Sequence, residues 1–299
     1  MPSRPFRRLL VSIAIGSVTL AAGYPVAAAP SSPVIVVAAE NFYGDIVGQI
    51  GGDHVAVTSI VSDPNIDPHE YETNARDAAA VANARLIIQN GLGYDAFMDR
   101  LEAASPNSQR KLIVVSELTG HKKGDNVHLW YDPATIPKVA QVVLEALVQI
   151  DSANAPSYRN WYRAFQASLP PLTQAIADLR AQHAGTAVGA TEPVFGYMAQ
   201  AIGLNVITPV KFQKAIEEGE DPPAAALAQM EDQVRKHQVR LLLYNIQTVS
   251  PITKRVQELA KRQGVPVVGV SETEPPGKTF QQWMLTQLEQ VRAALAQGK

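Results

Sequence analysis

Two histidines and two glutamates stand just after predicted strands or in the loops that follow them. His69 and His128 lie in loops in the first half of the chain, and Glu192 and Glu272 come just after two strands in the second half. Because side chains at the carboxyl ends of parallel strands share a cleft, all four are expected to point into one cleft. Two imidazoles and two ionised carboxylates can hold a divalent transition ion and balance its charge.

Each of these residues also has an ordinary explanation. A single histidine in a polar loop, such as His69 or His128, is often solvated. Glu192 would also stabilise the start of a helix, because a carboxylate is favoured at the positive end of the helix dipole. Glu272 and Glu274 could form a solvated acidic turn. The prediction of a metal site therefore depends on the shared position of the four residues.

The remaining polar candidates fit a metal site less well. His121 lies beside two lysines in "GHKKGDN", and lysines repel a cation. His183 and His237 end predicted helices, where partial positive charge is favourable. The acidic segment 216–221, "IEEGED", is interpreted as a solvated loop, with a second metal contact as the alternative.

The composition excludes several classes of function. The net charge is -2 and no long basic run is present, so nucleic acid is not expected as a partner. The chain has no cysteine, which excludes disulfides, thiolate zinc sites, iron–sulfur clusters and cysteine nucleophiles. Phosphate-binding glycine loops and serine nucleophile elbows are missing, and "HEYET" lacks the second histidine of HExxH.

The predicted site favours holding an ion over catalysis. A metal that activates water needs an open coordination position and a general base. Four protein ligands leave less room for such a water. No catalytic residue and no organic cofactor are therefore predicted.

Residues 1–29 are predicted to be a cleavable signal peptide. Three arginines within the first eight residues precede the apolar run "LLVSIAIGSVTLAAG", and small residues follow up to Ala28 and Ala29. An N-terminal membrane anchor is the alternative. A lipoprotein would need a cysteine at the cleavage site, and the chain has none. The mature protein is therefore expected in the periplasm, without a lipid anchor.

Short apolar strands alternate with helices in two parts of the mature chain. The predicted strands are 34–39, 55–61, 85–91, 111–117, 186–191, 205–210, 239–245 and 265–270. Strand–helix–strand order with apolar strands predicts parallel sheets covered on both faces, an α/β fold.

A helical segment without strands separates the two parts. The predicted organisation is an N-terminal α/β lobe (30–153), a linking helix segment (154–184) and a C-terminal α/β lobe (185–299). Pro170 and Pro171 fall inside the linking segment, where they remove backbone donors. A kinked rod and two shorter helices are both compatible with them.

The ordered motifs resemble the zinc- and manganese-binding solute-binding proteins of bacterial ABC importers, the TroA/ZnuA type. "DPHEYE" around His69 and "NVHLWYDP" around His128 resemble the first two ligand motifs of that family. "ATEPVFGYMAQAIGL" with Glu192 resembles the third, and "VVGVSETEPPGKTFQQWM" with Glu272 resembles the final strand and helix. The resemblance covers nearly all of the mature chain.

The resemblance implies two α/β lobes joined by a long helix, with the ion held between them. It also implies one Zn²⁺ or Mn²⁺ ion as cargo, delivery to the transmembrane subunits of an ABC permease, and a monomer. Glu192 replaces the histidine of many zinc-binding members and matches manganese-type members. Glu272 replaces the usual aspartate.

Two other functions are compatible with the same residues. One is a periplasmic metal-dependent hydrolase. The other is a binding protein for an organic ligand or a metal chelate, although the aromatic content of 6% indicates no obvious aromatic-lined cleft.

Overall fold

Two four-stranded sheets, each with all strands parallel, form the framework of the protein. The computed structural model describes residues 1–3 and 32–297. Apart from residues 1–3, the predicted signal peptide therefore lies outside the described residues. The two sheets confirm the predicted α/β fold with two parallel-sheet lobes.

The first sheet has the strand order β2-β1-β3-β4. Its strands are β1 (Val34–Glu40), β2 (Val55–Val61), β3 (Leu86–Gln89) and β4 (Lys111–Val114). Its helices are α1 (Asn41–Gly51), α2 (Ala75–Asn83), α3 (Ala96–Ala104), α4 (Val115–Thr119) and α5 (Thr135–Ile150). The fourth strand is shorter than the predicted 111–117, because the chain turns into α4 directly after Val114.

The second sheet has the strand order β6-β5-β7-β8. Its strands are β5 (Ala187–Ala190), β6 (Asn205–Val206), β7 (Leu242–Asn245) and β8 (Val267–Val270). Its helices are α8 (Gly196–Ala201), α9 (Val210–Glu217), α10 (Ala224–Arg235), α11 (Pro251–Arg262) and α12 (Phe280–Gln297). Helices α6 and α7 lie in the chain between the two sheets.

Two helices occupy the segment predicted to link the lobes. They are α6 (Ala155–Ser168) and α7 (Pro170–His183), and Leu169 stands between them in helical backbone conformation. Pro170 and Pro171 cannot donate the hydrogen bonds that would continue α6. The structure therefore has two shorter helices here, and the predicted lobe boundaries remain a prediction.

The acidic segment 216–221 is not wholly a loop, which corrects the interpretation from sequence. Glu217 is the last residue of α9, and Phe212 and Ile216 of this helix are buried. With eight residues, α9 is too short to show a clear helical period in its sequence. The helix matters for function because it carries Glu217 to the candidate site.

Aromatic packing joins the helices of the two lobes. Phe42 of α1 stacks on Trp130 with ring centroids 4.4 Å apart, and Trp283 of α12 lies 6.0 Å from Phe42. All three side chains are buried. Burial of rings of this size supplies a large share of the hydrophobic stabilisation, so α12 is held firmly against α1.

No helix among the described residues is long and apolar enough to cross a bilayer.

Two hydrogen bonds fasten the start of α1 to the segment after β8. The Asn41 side chain donates to the Glu274 carbonyl oxygen at 2.7 Å and accepts from the Glu274 backbone N–H at 3.0 Å. Nearby, the Phe280 backbone N–H donates to Asp45 Oδ2 at 2.9 Å. These contacts hold the two lobes together on the side where α1 meets the start of α12.

We expect Asn41→Ala to lower the free energy of unfolding by about 1–3 kcal/mol, because both Glu274 backbone groups lose their partner. Urea unfolding of the ion-free protein measures this change. Asn83→Ala is the control, since the exposed Asn83 side chain bonds only within its own helix, and it should change stability by less than about 0.5 kcal/mol. Equal effects of the two variants would contradict this role of Asn41.

Candidate metal centre

A short 3₁₀ turn, Pro68–Glu70, holds His69 after β2. Asp67 Oδ1 accepts a hydrogen bond from the His69 backbone N–H at 2.9 Å, and Pro68 fixes its own φ angle. The His69 ring packs edge-on against Tyr94 with centroids 4.9 Å apart. The turn therefore fixes the ring, and its Nε2 atom lies 3.5 Å from Glu272 Oε2.

His128 is fully buried, and its neighbours determine which ring nitrogen carries the proton. The Asn126 side chain donates through Nδ2 to the Pro193 carbonyl at 2.8 Å, so its Oδ1 faces His128 Nδ1 at 2.7 Å. Nδ1 then carries a hydrogen, so in the neutral ring the lone pair is on Nε2, where a cation can bind it. Within the described residues Nε2 has no hydrogen-bond partner, and it lies 3.4 Å from Glu272 Oε2.

The Glu272 carboxylate is the point where both histidines meet. It is fully buried, and it accepts hydrogen bonds from Tyr94 OH at 2.8 Å and Asn245 Nδ2 at 2.6 Å. Burial by itself raises a carboxyl pKa, but the hydrogen bond and positive charge that His128 supplies when protonated, the charge of protonated His69 and the Tyr94 hydroxyl hold the pKa of Glu272 below its ordinary value. Glu272 is therefore an ionised carboxylate inside the protein, facing two imidazoles.

Glu192 lies beside this group and is joined to it by one amide. Asn245 Nδ2 donates to Glu192 Oε2 at 3.0 Å as well as to Glu272. Glu192 Oε1 is buried and receives no hydrogen bond from the described residues. Burial, opposed by the Asn245 hydrogen bond and reinforced by Glu272 and Asp67, raises the pKa of Glu192 to about 8. A cation would satisfy the unpartnered oxygen and displace the proton.

The structure groups the metal-binding atoms differently from the predicted set of four. Asp67, His69 and Glu272 offer ligand atoms within 4.8 Å of one another, and so do His69, His128 and Glu217. Glu192 belongs to neither of these groups. The role of the four predicted residues as ligands remains a prediction, and Asp67 and Glu217 are two candidates that the sequence did not single out.

Some signal for these two residues is present in the sequence. Asp67 begins the "DPHEYE" motif and immediately precedes the proline of the His69 turn, a position that by itself is typical of a polar turn residue. Glu217 stands in the acidic segment for which a metal contact was the alternative interpretation. Asn126, two residues before His128, and Asn245, at the end of β7, gave no signal, because their roles depend on contacts between segments far apart in sequence.

A cavity of about 780 Å³ opens beside the site. Members of both groups line it, together with the loop that precedes His128; Asp67, His69, Asn126, Glu217 and Thr248 are among the lining residues. Since His69 keeps 23% of its side chain exposed while Glu272 and His128 are buried, the approach from solvent passes His69 first.

The sequence matches the model of a protein family described as zinc-uptake complex component A, periplasmic, over residues 36–294. The chain belongs to this family. The description of this ZnuA family is that of a periplasmic component of zinc-uptake complexes.

Individual relatives agree with this membership. The chain is 27% identical over 198 residues to the zinc-binding protein TroA of Treponema pallidum, covering 63% of each chain. It is 26% identical over 179 residues to the manganese-binding lipoprotein MntA of Halalkalibacterium halodurans, covering 58% of this chain and 59% of MntA. The chain thus spans less than two thirds of the length of these two relatives.

The fold is also found in a solved structure of TroA from Treponema pallidum, described as a periplasmic zinc-binding protein. The TM-score is 0.73 at 20% identity, and the match covers 89% of this chain and 99% of that chain. At this identity the comparison establishes the fold.

The buried Glu192 carboxyl predicts a specific pH dependence of stability in the ion-free protein. Its ordinary pKa is 4.5 and its pKa in the folded protein is about 8. Between these values the folded state keeps a proton that the unfolded state has lost, so the contribution of Glu192 to stability is full below the lower value and is lost as the pH rises towards the upper one.

We therefore expect the wild type to lose stability relative to Glu192→Gln as the pH rises from 5 to 8, as measured by the free energy of unfolding. This loss should reach at most about 1.4 kcal/mol per pH unit. Urea unfolding in the presence of a chelator measures it. A difference that stays constant with pH would show that Glu192 is not a buried, protonated carboxyl.

Proposed function

We propose that the protein captures a divalent transition ion, zinc or manganese, outside the cytoplasm and delivers it to an ABC-type membrane permease. The observation that carries this proposal is the convergence of His69 and His128 on Glu272. Both imidazoles come from the first lobe, and the carboxylate comes from the second. An ion bound among them joins the two lobes, with Glu192 as the fourth ligand.

The donor set suits both candidate ions. Imidazole suits zinc, and carboxylates suit manganese, while the Irving–Williams order gives zinc the higher affinity at most mixed sites. One relative is described as zinc-binding and another as manganese-binding. Zinc is therefore expected to bind at least as tightly as manganese in vitro, whichever ion is the cargo.

Holding the ion explains the site better than turnover does. Carboxyl groups and imidazoles approach the centre from several directions, which leaves few positions for a substrate and an activated water. The rings of Tyr94 and Trp130 lie 4.9 Å apart and pack beside the two histidines. The protein is thus proposed to act as a carrier without catalytic residues, as a monomer.

The family and the sequence together support export and delivery as parts of the proposal. The family is described as periplasmic, and residues 1–29 have the features of a cleavable signal peptide without a cysteine for lipid attachment. The proposed partner is the transmembrane part of an ABC importer.

The experiment that tests capture is a titration of the mature chain, from residue 30 onward, after removal of metal by a chelator. At a thousandfold excess over the dissociation constant, zinc should raise the free energy of unfolding by about 4 kcal/mol. His69→Ala should lose most of this gain, because His69 belongs to both groups of ligand atoms.

The matched control is His183→Ala, which alters a histidine at the end of α7 outside both groups. It should keep the full zinc-induced stabilisation. An unchanged stabilisation in His69→Ala would remove His69 from the site, and a wild type that binds neither zinc nor manganese would refute the proposed function.

A further inference from the structure

The end of α9 places one glutamate at the candidate site in a fixed position. Phe212 and Ile216 are buried and anchor the helix in the second lobe. After Glu217 the chain leaves the helix through Gly219, which has a φ of 70°, and the Glu220 backbone N–H bonds back to the Ala215 carbonyl at 2.7 Å. Glu217 is therefore held by a closed helix end, so little backbone ordering would be needed for it to contact a ligand.

Glu217 and its neighbour Glu218 differ in burial and in partners, although both line the cavity. Glu218 is exposed and pairs with Lys214 at 3.5 Å. The Glu217 side chain is 19% exposed and faces the histidines, with Oε1 3.7 Å from His128 Nδ1. That nitrogen already donates to Asn126 at 2.7 Å, the shorter and stronger contact. Within the described part of the chain the Glu217 carboxylate thus receives no hydrogen bond.

This arrangement is unfavourable unless a cation lies nearby. A carboxylate at the last residue of a helix faces the negative end of the helix dipole. Most of its side chain is also removed from water, which disfavours an unpaired charge. Lys214 of α9 pairs with Glu218, and Glu217 has no salt bridge to a lysine or arginine among the described residues. The ligand atoms of Glu217, His69 and His128 lie within 4.8 Å of one another, a spacing that one ion can bridge.

We propose that Glu217 is a further ligand of the captured ion, contributed by α9 from the side of the open cavity. This inference rests on the proposed function and adds a residue to it. A third carboxylate beside Glu192 and Glu272 increases the number of oxygen donors. Because manganese favours six oxygen-rich contacts and zinc favours four, the added ligand chiefly supports manganese.

The test compares Glu217→Gln with Glu218→Gln, two variants that remove the same charge at adjacent positions of one helix. Affinity for Mn²⁺ is measured by competition with a chelator on the full mature chain. Glu217→Gln should weaken Mn²⁺ binding by at least about tenfold, and Glu218→Gln should stay within about twofold, since the exposed Glu218 carboxylate belongs to neither group of ligand atoms and pairs with Lys214. Thermal unfolding of the ion-free variants checks that both are folded.

A second measurement separates ligation from a simple loss of charge. The visible spectrum of bound Co²⁺ depends on the number and geometry of its ligands, so Glu217→Gln should alter it and Glu218→Gln should not. Unchanged Mn²⁺ affinity in Glu217→Gln would overturn the proposal, and so would weaker affinity with an unchanged Co²⁺ spectrum. If Glu217→Gln did not fold, Glu217→Asp, which withdraws the carboxylate by one methylene, would be judged by the same two criteria.

These outcomes are distinct from a failure of the proposed function. Absence of metal binding by the wild type would refute the function itself. Tight binding by the wild type with no response to Glu217→Gln would refute only the role of Glu217.

Discussion

The structure depends on one buried carboxylate that is kept ionised between two imidazoles. An isolated carboxylate in a protein interior costs several kcal/mol. Glu272 is fully buried, yet Tyr94, Asn245 and the two histidines of the first lobe surround it with donors and potential positive charge. The fold must place groups from distant segments around the two carboxylate oxygens of Glu272. The contacts between the lobes hold these groups in place.

Hydrogen bonds across the interface fix the position of Glu272 from behind. Tyr131 of the first lobe donates to the Ser271 carbonyl at 2.7 Å and is also 2.7 Å from Gln287 of α12. Gln247 accepts from the Glu272 backbone N–H and donates to the Ile66 carbonyl at 2.8 Å, beside the His69 turn. The site is thus preorganised, so little free energy is needed to order the ligands when an ion binds.

Much of this arrangement could be predicted from the sequence, because it follows from rules that act locally. Short apolar strands alternating with helices determine a parallel sheet, and the ends of such strands determine where side chains converge. These rules predict that His69, His128 and Glu272 share a cleft, and in the structure both histidines lie within 3.5 Å of Glu272. Pro170 and Pro171 likewise indicated where the linking helix would be interrupted.

The rest could not be predicted, because it depends on contacts between segments far apart in the chain. The contacts that join Asn126, His128 and Pro193 determine which nitrogen of the histidine carries the proton. No local pattern in the sequence indicates these contacts. Glu217 stands in a run of acidic residues that is typical of a solvated loop. The folding of α9 against the core distinguishes it from Glu218, because it places Glu217 beside His128 and leaves Glu218 paired with Lys214.

The most direct test of the account is X-ray absorption at the zinc edge of the zinc-loaded mature protein. An ion held between the two lobes should have nitrogen and oxygen donors at about 2.0–2.2 Å and no sulfur, with outer-shell scattering from two imidazoles. One of these imidazoles should disappear in His69→Ala. A spectrum without imidazole scattering, or one that His69→Ala leaves unchanged, would contradict capture of the ion between the two lobes.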